Sequence, residues 1–258
     1  MKKQNKAKKV VFSIFGAIVL VIIVGAIAFK IYSNNYYKAD TKTIENIADE
    51  ADEVGYYYDD DMSVFVPLEE ETKAVIVFYP GGKVEFNSYS GLMYELAEKG
   101  YLCLLPRMPE NIAFLRVDAV DLIKERYPDR VQQYENLDWY LAGHSLGGVA
   151  ACQYLGEHLD ESEYKGIILC ASYTTVDFSD TDLKLLSIYG SEDKVLKMDA
   201  YEESKSFWPK EATEYIIEGG IHSYFGNYGI QDGDGEPQIT VYEQLEEATE
   251  VIDEWCMG

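Results

Sequence analysis

The sequence predicts an α/β fold, a mostly parallel twisted sheet flanked by helices, with a transmembrane helix in front of it. From about residue 63 to the C-terminus, strand-like apolar runs alternate with amphipathic helical patterns, which is typical of a parallel sheet wrapped in helices. This segment of roughly 200 residues is long enough for one domain with a substantial core. An uncharged run at residues 10–29 predicts the membrane helix.

The N-terminal segment combines basic and apolar residues in the order of a membrane anchor. Residues 1–9 carry five lysines and no acid, and residues 10–31 form the apolar stretch. Twenty helical residues at about 1.5 Å each span roughly 30 Å, the thickness of a bilayer core. The lysines favour a cytoplasmic N-terminus, so we expect a single-pass protein of the cell membrane whose remainder is extracytoplasmic. A cleaved signal peptide is the alternative, because Ala-Ile-Ala at 26–28 is typical of a cleavage site.

The remaining elements are predicted in chain order from hydrophobic periodicity and from capping residues. Residues 32–62 are polar and acidic and predict a stalk that carries a short helix at 41–53, and the folded domain is expected at 63–258. Strands are expected at 63–68, 74–79, 137–142, 165–170, 184–189 and 213–218, and helices at 89–98, 111–126, 149–155 and 241–255.

The most informative motif is Gly-His-Ser-Leu-Gly-Gly at residues 143–148, between a predicted strand and a predicted helix. In this setting the serine lies in a tight, strained turn above the sheet, where a substrate can reach its hydroxyl. Gly143 and Gly147 fit this turn because strand and helix nearly touch there and leave no space for a Cβ. Ser145 is therefore the candidate nucleophile.

A base and an acid follow the serine, each just past a predicted strand. His222 follows the strand at 213–218 and Asp193 follows the strand at 184–189, so both should lie at the same sheet edge as Ser145. Ser145 would act as nucleophile, His222 as its general base, and Asp193 as the group that orients the imidazole.

The sequence contains other candidates for the base and the acid. The chain has three histidines; His144 lies inside the turn and is expected at the pocket wall, and His158 lies at the polar end of the next helix. Three aspartates after the preceding strand stay as alternatives for the acid: Asp177, Asp180 and Asp182.

An oxyanion hole needs two backbone N–H groups that point at the developing negative charge. Leu146 supplies one, because it follows the nucleophile at the start of a helix, and Gly82 or Lys83 in the loop after strand 74–79 should supply the other. Aromatic residues near these groups are candidates for the wall of the substrate pocket, together with His144: Tyr79, Tyr224, Phe225 and Tyr228.

Taken together, these motifs resemble those of α/β-hydrolases, and most of all the small bacterial fold-5 group related to dienelactone hydrolases. The matching segments are 78–84, 107–114, 143–148, 187–193 and 218–222. The resemblance covers the chain from about Lys73 onward and implies a catalytic domain with a Ser–His–Asp triad. Dienelactone hydrolases often use a cysteine where this chain has Ser145, so their substrate is not implied. The His-Gly pair that usually opens the oxyanion loop is Tyr79-Pro80 here.

The resemblance also bears on access to the site. In this fold a lid is usually inserted after the strand that follows the nucleophile helix. Only about a dozen residues separate the predicted strand at 165–170 from the next one at 184–189, too few for a lid domain. We therefore expect an open pocket.

Charge, cysteine spacing and the acidic residues argue against nucleic-acid binding, a disulfide framework and an EF-hand calcium site. Residues 32–258 carry 16 basic and 46 acidic side chains, a net charge of −30, which disfavours binding to nucleic acid. Cys103 and Cys170 are expected in strands roughly 14 Å apart, beyond the reach of a disulfide. The acidic run at 232–236 lacks the further ligands of an EF-hand. No metal and no cofactor are predicted.

The function predicted from these observations is that of a membrane-anchored serine hydrolase that cleaves short or medium acyl esters. Two alternatives stay open: an acyltransferase that uses the same triad, and a non-catalytic module of the same fold that binds a surface partner.

The N-terminal segment generates a test of its own. We expect the full-length protein to sediment with membranes, to resist carbonate extraction, and to expose its large domain to protease added outside the cell. Immunoblotting of the fractions measures this. A soluble product whose N-terminus is Phe29 would show instead that a signal peptide is cleaved after Ala28.

Overall fold

The computed structural model describes residues 2–69, 71–161 and 163–258. The chain forms two compact units, Met1–Tyr36 and Tyr37–Gly258.

The first unit is a single long helix, α1, at Lys2–Asn34. Within it, Ile14–Asn34 is long and apolar enough to cross a membrane. The apolar side chains described in this segment are exposed, for example Phe15 and Val21. The predicted N-terminal helix is thus present and is a candidate membrane span, although a signal sequence near the N-terminus meets the same criteria.

The second unit contains the predicted sheet and its helices. Its strands are β1 (Val54–Tyr58), β2 (Met62–Pro67), β3 (Ala74–Tyr79), β4 (Tyr101–Pro106), β5 (Asp138–His144), β6 (Tyr164–Cys170), β7 (Lys184–Gly190) and β8 (Glu211–Ile217). Its helices are α2 (Thr41–Glu50), α3 (Ser90–Glu98), α4 (Ala119–Arg126), α5 (Pro128–Gln132), α6 (Leu146–Glu157), α7 (Met198–Ser204) and α8 (Val241–Met257).

All eight strands form one sheet in the order β1-β2-β4-β3-β5-β6-β7-β8. The six strands from β4 to β8 in this order are parallel to their neighbours, whereas β1–β2 and β2–β4 are antiparallel pairs. This confirms the mostly parallel sheet. Helices cover both faces, which is why β3 and β4 are apolar and buried along their whole length.

Alternation along each central strand divides the core between the two faces. In β3, Ile76 and Phe78 pack with side chains of α2, α3 and α8, whereas Val75 and Val77 pack with side chains of α4 and α6. The sheet is therefore held from both sides, and its carboxyl edge is left to the loops.

One predicted helix is shorter than expected. The segment expected to be helical at 111–126 forms an α-helix only at Ala119–Arg126, and two 3₁₀ turns precede it. Glu110 and Asn111 have positive φ angles of 54° and 55°, a backbone conformation that an α-helix cannot contain.

The compact domain begins earlier than the boundary expected at residue 63. Tyr37 forms an isolated bridge with Val84; its N–H donates to the Lys83 carbonyl, and its own carbonyl accepts from the Glu85 N–H, both at 2.8 Å. Asp40 then caps α2, and Ile47 of α2 lies buried in the core. The segment expected to be a stalk thus contains a helix and an edge strand of the domain.

This earlier boundary predicts a difference between two truncated chains. A chain that begins at residue 63 lacks the Tyr37 bridge, α2 and β1, whereas a chain that begins at residue 36 keeps them. Burying a side chain such as Ile47 is worth about 1.5–3 kcal/mol, and 1 kcal/mol shifts the Tm of a domain of this size by about 2–4 °C. We expect the shorter chain to melt about 10 °C lower by circular dichroism. Equal Tm values would show that residues 37–62 add nothing to the stability of the domain.

Candidate active site

Ser145 lies at the carboxyl edge of the sheet, between the last residue of β5 and the first residue of α6. Its backbone has φ 51° and ψ −124°, a conformation that non-glycine residues rarely adopt. A Cβ on Gly143 would lie 2.6 Å from the Gly148 nitrogen, and a Cβ on Gly147 would lie 2.1 Å from the Tyr79 carbonyl oxygen. Only glycine fits at these two positions, as the motif predicts.

His222 and Asp193 meet at the same edge. The Nδ1 atom of His222 lies 2.8 Å from Oδ2 of Asp193, and both side chains are almost completely buried. The second carboxylate oxygen, Oδ1, accepts the N–H groups of Val195 and Leu196, each at 2.8 Å. The aspartate is therefore fixed at both oxygens and accepts the imidazole N–H in one orientation.

The alternative acids lie elsewhere. Asp177 is exposed and accepts hydrogen bonds from the N–H and hydroxyl of Ser179, which lower the pKa of its carboxyl. Asp180 and Asp182 are also exposed. Among the described residues, Asp193 is the carboxylate that contacts the His222 imidazole.

A second aspartate supports the base and was missed by the sequence analysis. Oδ1 of Asp234 accepts the backbone N–H of His222 at 3.2 Å, and Oδ2 accepts the N–H of Ser223 at 2.8 Å and its hydroxyl at 2.5 Å. Asp234 belongs to the acidic run at 232–236, and no cluster of metal-binding side chains is found among the described residues. Its carboxylate caps the turn that carries His222. Its place in a glycine-rich turn a dozen residues after the histidine is the only sequence signal for this role.

The structure distinguishes between the candidate backbone donors of the oxyanion hole. The Lys83 N–H donates to the Asn111 carbonyl at 2.8 Å, so it is already engaged, contrary to the expectation that it could serve as a donor. The Gly82 N–H has no hydrogen-bond partner within the described parts of the chain. Leu146 begins α6, where N–H groups lack intrahelical acceptors. A Cβ on Gly82 would lie 2.8 Å from Cδ2 of Leu146, so these two residues are neighbours.

Most of the residues predicted to form an aromatic wall around the pocket are buried, so that prediction is wrong for them. Tyr79 and Phe225 are 0% exposed and His144 is 1% exposed, so none of them can line an open pocket. Alternation in β3 turns Tyr79 toward the core, where its hydroxyl donates to the Val117 carbonyl at 2.7 Å. Tyr228 is nearly buried as well, and Tyr224 alone of the expected set is partly exposed.

Aliphatic and aromatic residues that the sequence analysis did not select are exposed instead. Leu146 is 39% exposed, and Phe114 and Leu115, in a turn that contacts α6, are 41% and 50% exposed. Residues 171–183, all of them described, contain no helix and no strand, so no lid domain is inserted between β6 and β7.

An apolar groove of the domain is separate from this edge. It has a volume of about 310 Å³, lies against β2 and β4, and is lined in part by Ile123, Tyr127 and Trp139. None of the candidate site residues contributes to it.

Comparison with known proteins agrees with this architecture. The profile of the alpha/beta hydrolase family matches residues 75–246, two thirds of the chain. A dienelactone hydrolase from Anabaena variabilis ATCC 29413 superposes with a TM-score of 0.56 at 16% identity, over 80% of this chain and 98% of that one. An esterase from Pyrobaculum calidifontis superposes with a TM-score of 0.58 at 15% identity, over 84% and 91% of the two chains. No curated protein sequence matches.

The two solved structures share the fold at low identity, while the profile match spans the strands and loops that carry Ser145, Asp193 and His222. The chain belongs to the alpha/beta hydrolase family.

Proposed function

We propose that this protein is a serine hydrolase that cleaves acyl esters through Ser145, His222 and Asp193. The observation that carries the proposal is the buried 2.8 Å contact between the His222 imidazole and the Asp193 carboxylate, at the sheet edge where Ser145 stands in a strained turn. Such strain is concentrated at functional sites and costs on the order of 1–3 kcal/mol. A non-catalytic binding module does not require an oriented imidazole and a strained serine at the same edge of the sheet.

The proposed reaction begins with proton transfer. When Nδ1–H of His222 donates to Asp193, Nε2 is left as the acceptor for the Ser145 proton. The serine oxygen then attacks the acyl carbonyl, and the negative charge that develops on the carbonyl oxygen is stabilised by the N–H groups of Leu146 and Gly82. His222 next gives its proton to the leaving alkoxide, which departs as the alcohol.

The acyl-enzyme is resolved by the same groups. A water molecule gives a proton to Nε2 of His222 and attacks the acyl carbon. When the second tetrahedral intermediate collapses, the bond from the acyl carbon to the Ser145 oxygen breaks, His222 returns its proton to that oxygen, and the carboxylic acid is released. In an acyltransferase an alcohol or amine would replace that water. No metal or other cofactor is needed for any of these steps.

The proposed location is the cell membrane. The apolar helix at Ile14–Asn34 is longer than the roughly 7–15 apolar residues of a signal peptide, which favours an uncleaved single-pass anchor. The five lysines within residues 1–9 favour a cytoplasmic N-terminus, with the hydrolase domain outside the cell.

The proposed substrates are short or medium neutral acyl esters. Because the described residues 171–183 form no lid between β6 and β7, we expect the site to be open and to offer no closed apolar tunnel to a long acyl chain. The strongly acidic domain also lowers the local concentration of anionic substrates, an effect that salt screens.

The triad can be tested by covalent labelling of the full-length protein in detergent. A fluorophosphonate probe should label the wild type at Ser145, and Ser145→Ala should abolish labelling. We expect Ser145→Ala and His222→Ala each to lower kcat for a p-nitrophenyl ester by about 10⁴-fold or more, and Asp193→Asn by somewhat less, because the three act as one unit. Exposed Asp177 offers a matched control, and Asp177→Asn should keep full activity. Equal labelling of wild type and Ser145→Ala would favour a non-catalytic module.

The substrate class can be tested with a p-nitrophenyl ester series from acetate to palmitate. We expect kcat/KM to peak at short chains and to fall with length, because the open site offers little apolar surface to distant methylenes. Adding an alcohol as a second acceptor distinguishes transfer from hydrolysis by the ester that it forms. A steep rise toward palmitate, or activation at a lipid interface, would contradict the proposed substrate class.

A further inference from the structure

A fully buried chain of hydrogen bonds lies beneath the candidate active site. The Gly81 N–H lies 3.0 Å from the hydroxyl of Tyr89, and that hydroxyl lies 2.9 Å from Nδ1 of His144. On the other side of the ring, Nε2 of His144 lies 3.0 Å from the backbone carbonyl of His222. Tyr89 is 0% exposed and His144 is 1% exposed.

The groups at the two ends of this chain of hydrogen bonds determine which atoms donate and which accept. A backbone N–H can only donate and a backbone carbonyl can only accept. The Tyr89 oxygen therefore accepts from Gly81, and Nε2 of His144 carries a proton that it donates to the His222 carbonyl. In a neutral imidazole Nδ1 then has no proton, so it accepts the hydrogen of the Tyr89 hydroxyl and the ring is held in a single tautomer.

Burial agrees with the neutral state. Desolvation lowers the pKa of His144 well below its ordinary value, and the neighbouring His222 imidazole lowers it further. Burial also raises the pKa of the Tyr89 hydroxyl, so it keeps its proton. Both side chains therefore hold these hydrogen bonds unchanged while His222 gains and loses a proton.

The three loops joined by this chain are those that the proposed reaction uses. Gly81 directly precedes Gly82, a proposed oxyanion donor, and His144 directly precedes Ser145, the proposed nucleophile. The carbonyl that accepts from His144 belongs to His222 itself, and the two imidazole rings lie 4.6 Å apart between centroids.

We infer that Tyr89 and His144 are positioning residues that lock the oxyanion loop, the nucleophile turn and the base in register with one another. This inference rests on the proposed function. The close packing around the chain supports it, because a Cβ on Gly81 would lie 2.6 Å from the Tyr89 hydroxyl and 2.7 Å from Nδ1 of His144. The loop thus cannot shift toward the ring, and the hydrogen bonds prevent it from shifting away.

The hydroxyl of Tyr89 is tested by Tyr89→Phe in the full-length protein in detergent. A small misalignment of catalytic groups costs up to about 100-fold in rate. We expect kcat and the rate of fluorophosphonate labelling to fall about 10- to 100-fold, with KM changed less than about 2-fold. The matched control is Tyr101→Phe, since Tyr101 is equally buried and its hydroxyl donates to Asp253 at 2.7 Å, away from the site. The control should lower Tm and leave both rates unchanged.

The imidazole of His144 is tested by partial replacement. In His144→Gln the side-chain amide can still donate to the His222 carbonyl, whereas His144→Leu removes both hydrogen bonds. We expect the labelling rate to fall in the order wild type, His144→Gln, His144→Leu. Equal rates for the two variants at equal Tm would show that His144 only fills space.

The tautomer is measured independently of activity. Only three histidines are present, so a ¹⁵N-histidine spectrum of the full chain contains three imidazoles. We expect His144 to be protonated at Nε2 alone. The ¹⁵N signals of its two ring nitrogens should shift in Tyr89→Phe and stay unchanged in Tyr101→Phe. Protonation at Nδ1 would overturn the inference.

The outcomes separate this inference from the function on which it rests. A wild type that does not react at Ser145 overturns the proposed function, and the positioning roles with it. A wild type that reacts at Ser145, and does so at the same rate after Tyr89→Phe, overturns the positioning roles alone.

Discussion

The tight turn at Ser145 is the constraint on which the rest of the site depends. The turn holds a non-glycine residue at a φ of 51°, and it is possible only because β5 and α6 approach each other through glycines at 143, 147 and 148. The same closeness brings Gly147 against the Tyr79 and Pro80 carbonyls, so the start of the oxyanion loop is placed by the turn as well. One steric requirement therefore fixes both the proposed nucleophile and the wall beside it.

Polar contacts hold the remaining groups around that turn. One carboxylate oxygen of Asp193 contacts the imidazole, and the other accepts two backbone N–H groups. The carboxylate of Asp234 accepts the backbone N–H groups of His222 and Ser223. A buried polar group that lacks a partner is costly, so each of these contacts resists any movement that would break it. The loops at this edge are therefore irregular in conformation and still well defined in position.

Features of the site that depend on local sequence pattern are predictable from the sequence, whereas those that depend on packing are not. The sheet follows from the apolar runs, and the meeting of Asp193 and His222 follows from the position of each residue just after a strand. Each of these signals is contained within a few consecutive residues. The direction of a side chain at the end of a strand is not given by such a signal. The sequence predicts that Tyr79 lines the pocket, yet alternation in β3 buries its side chain. Asp234 follows no predicted strand, and the Lys83 N–H donates to a carbonyl 28 residues away, so neither contact is marked by a residue at a strand end.

The Tyr37 bridge gives the domain a mechanical property. A load applied to the chain ahead of Tyr37 would act first on the two backbone hydrogen bonds to Lys83 and Glu85, before it reached any strand of the sheet. Both bonds lie just after Gly82 in the chain, at Lys83 and Glu85, so such a load would be passed directly to the loop of the proposed oxyanion hole. The point at which the chain enters the domain and the loop that carries Gly82 are thus mechanically connected.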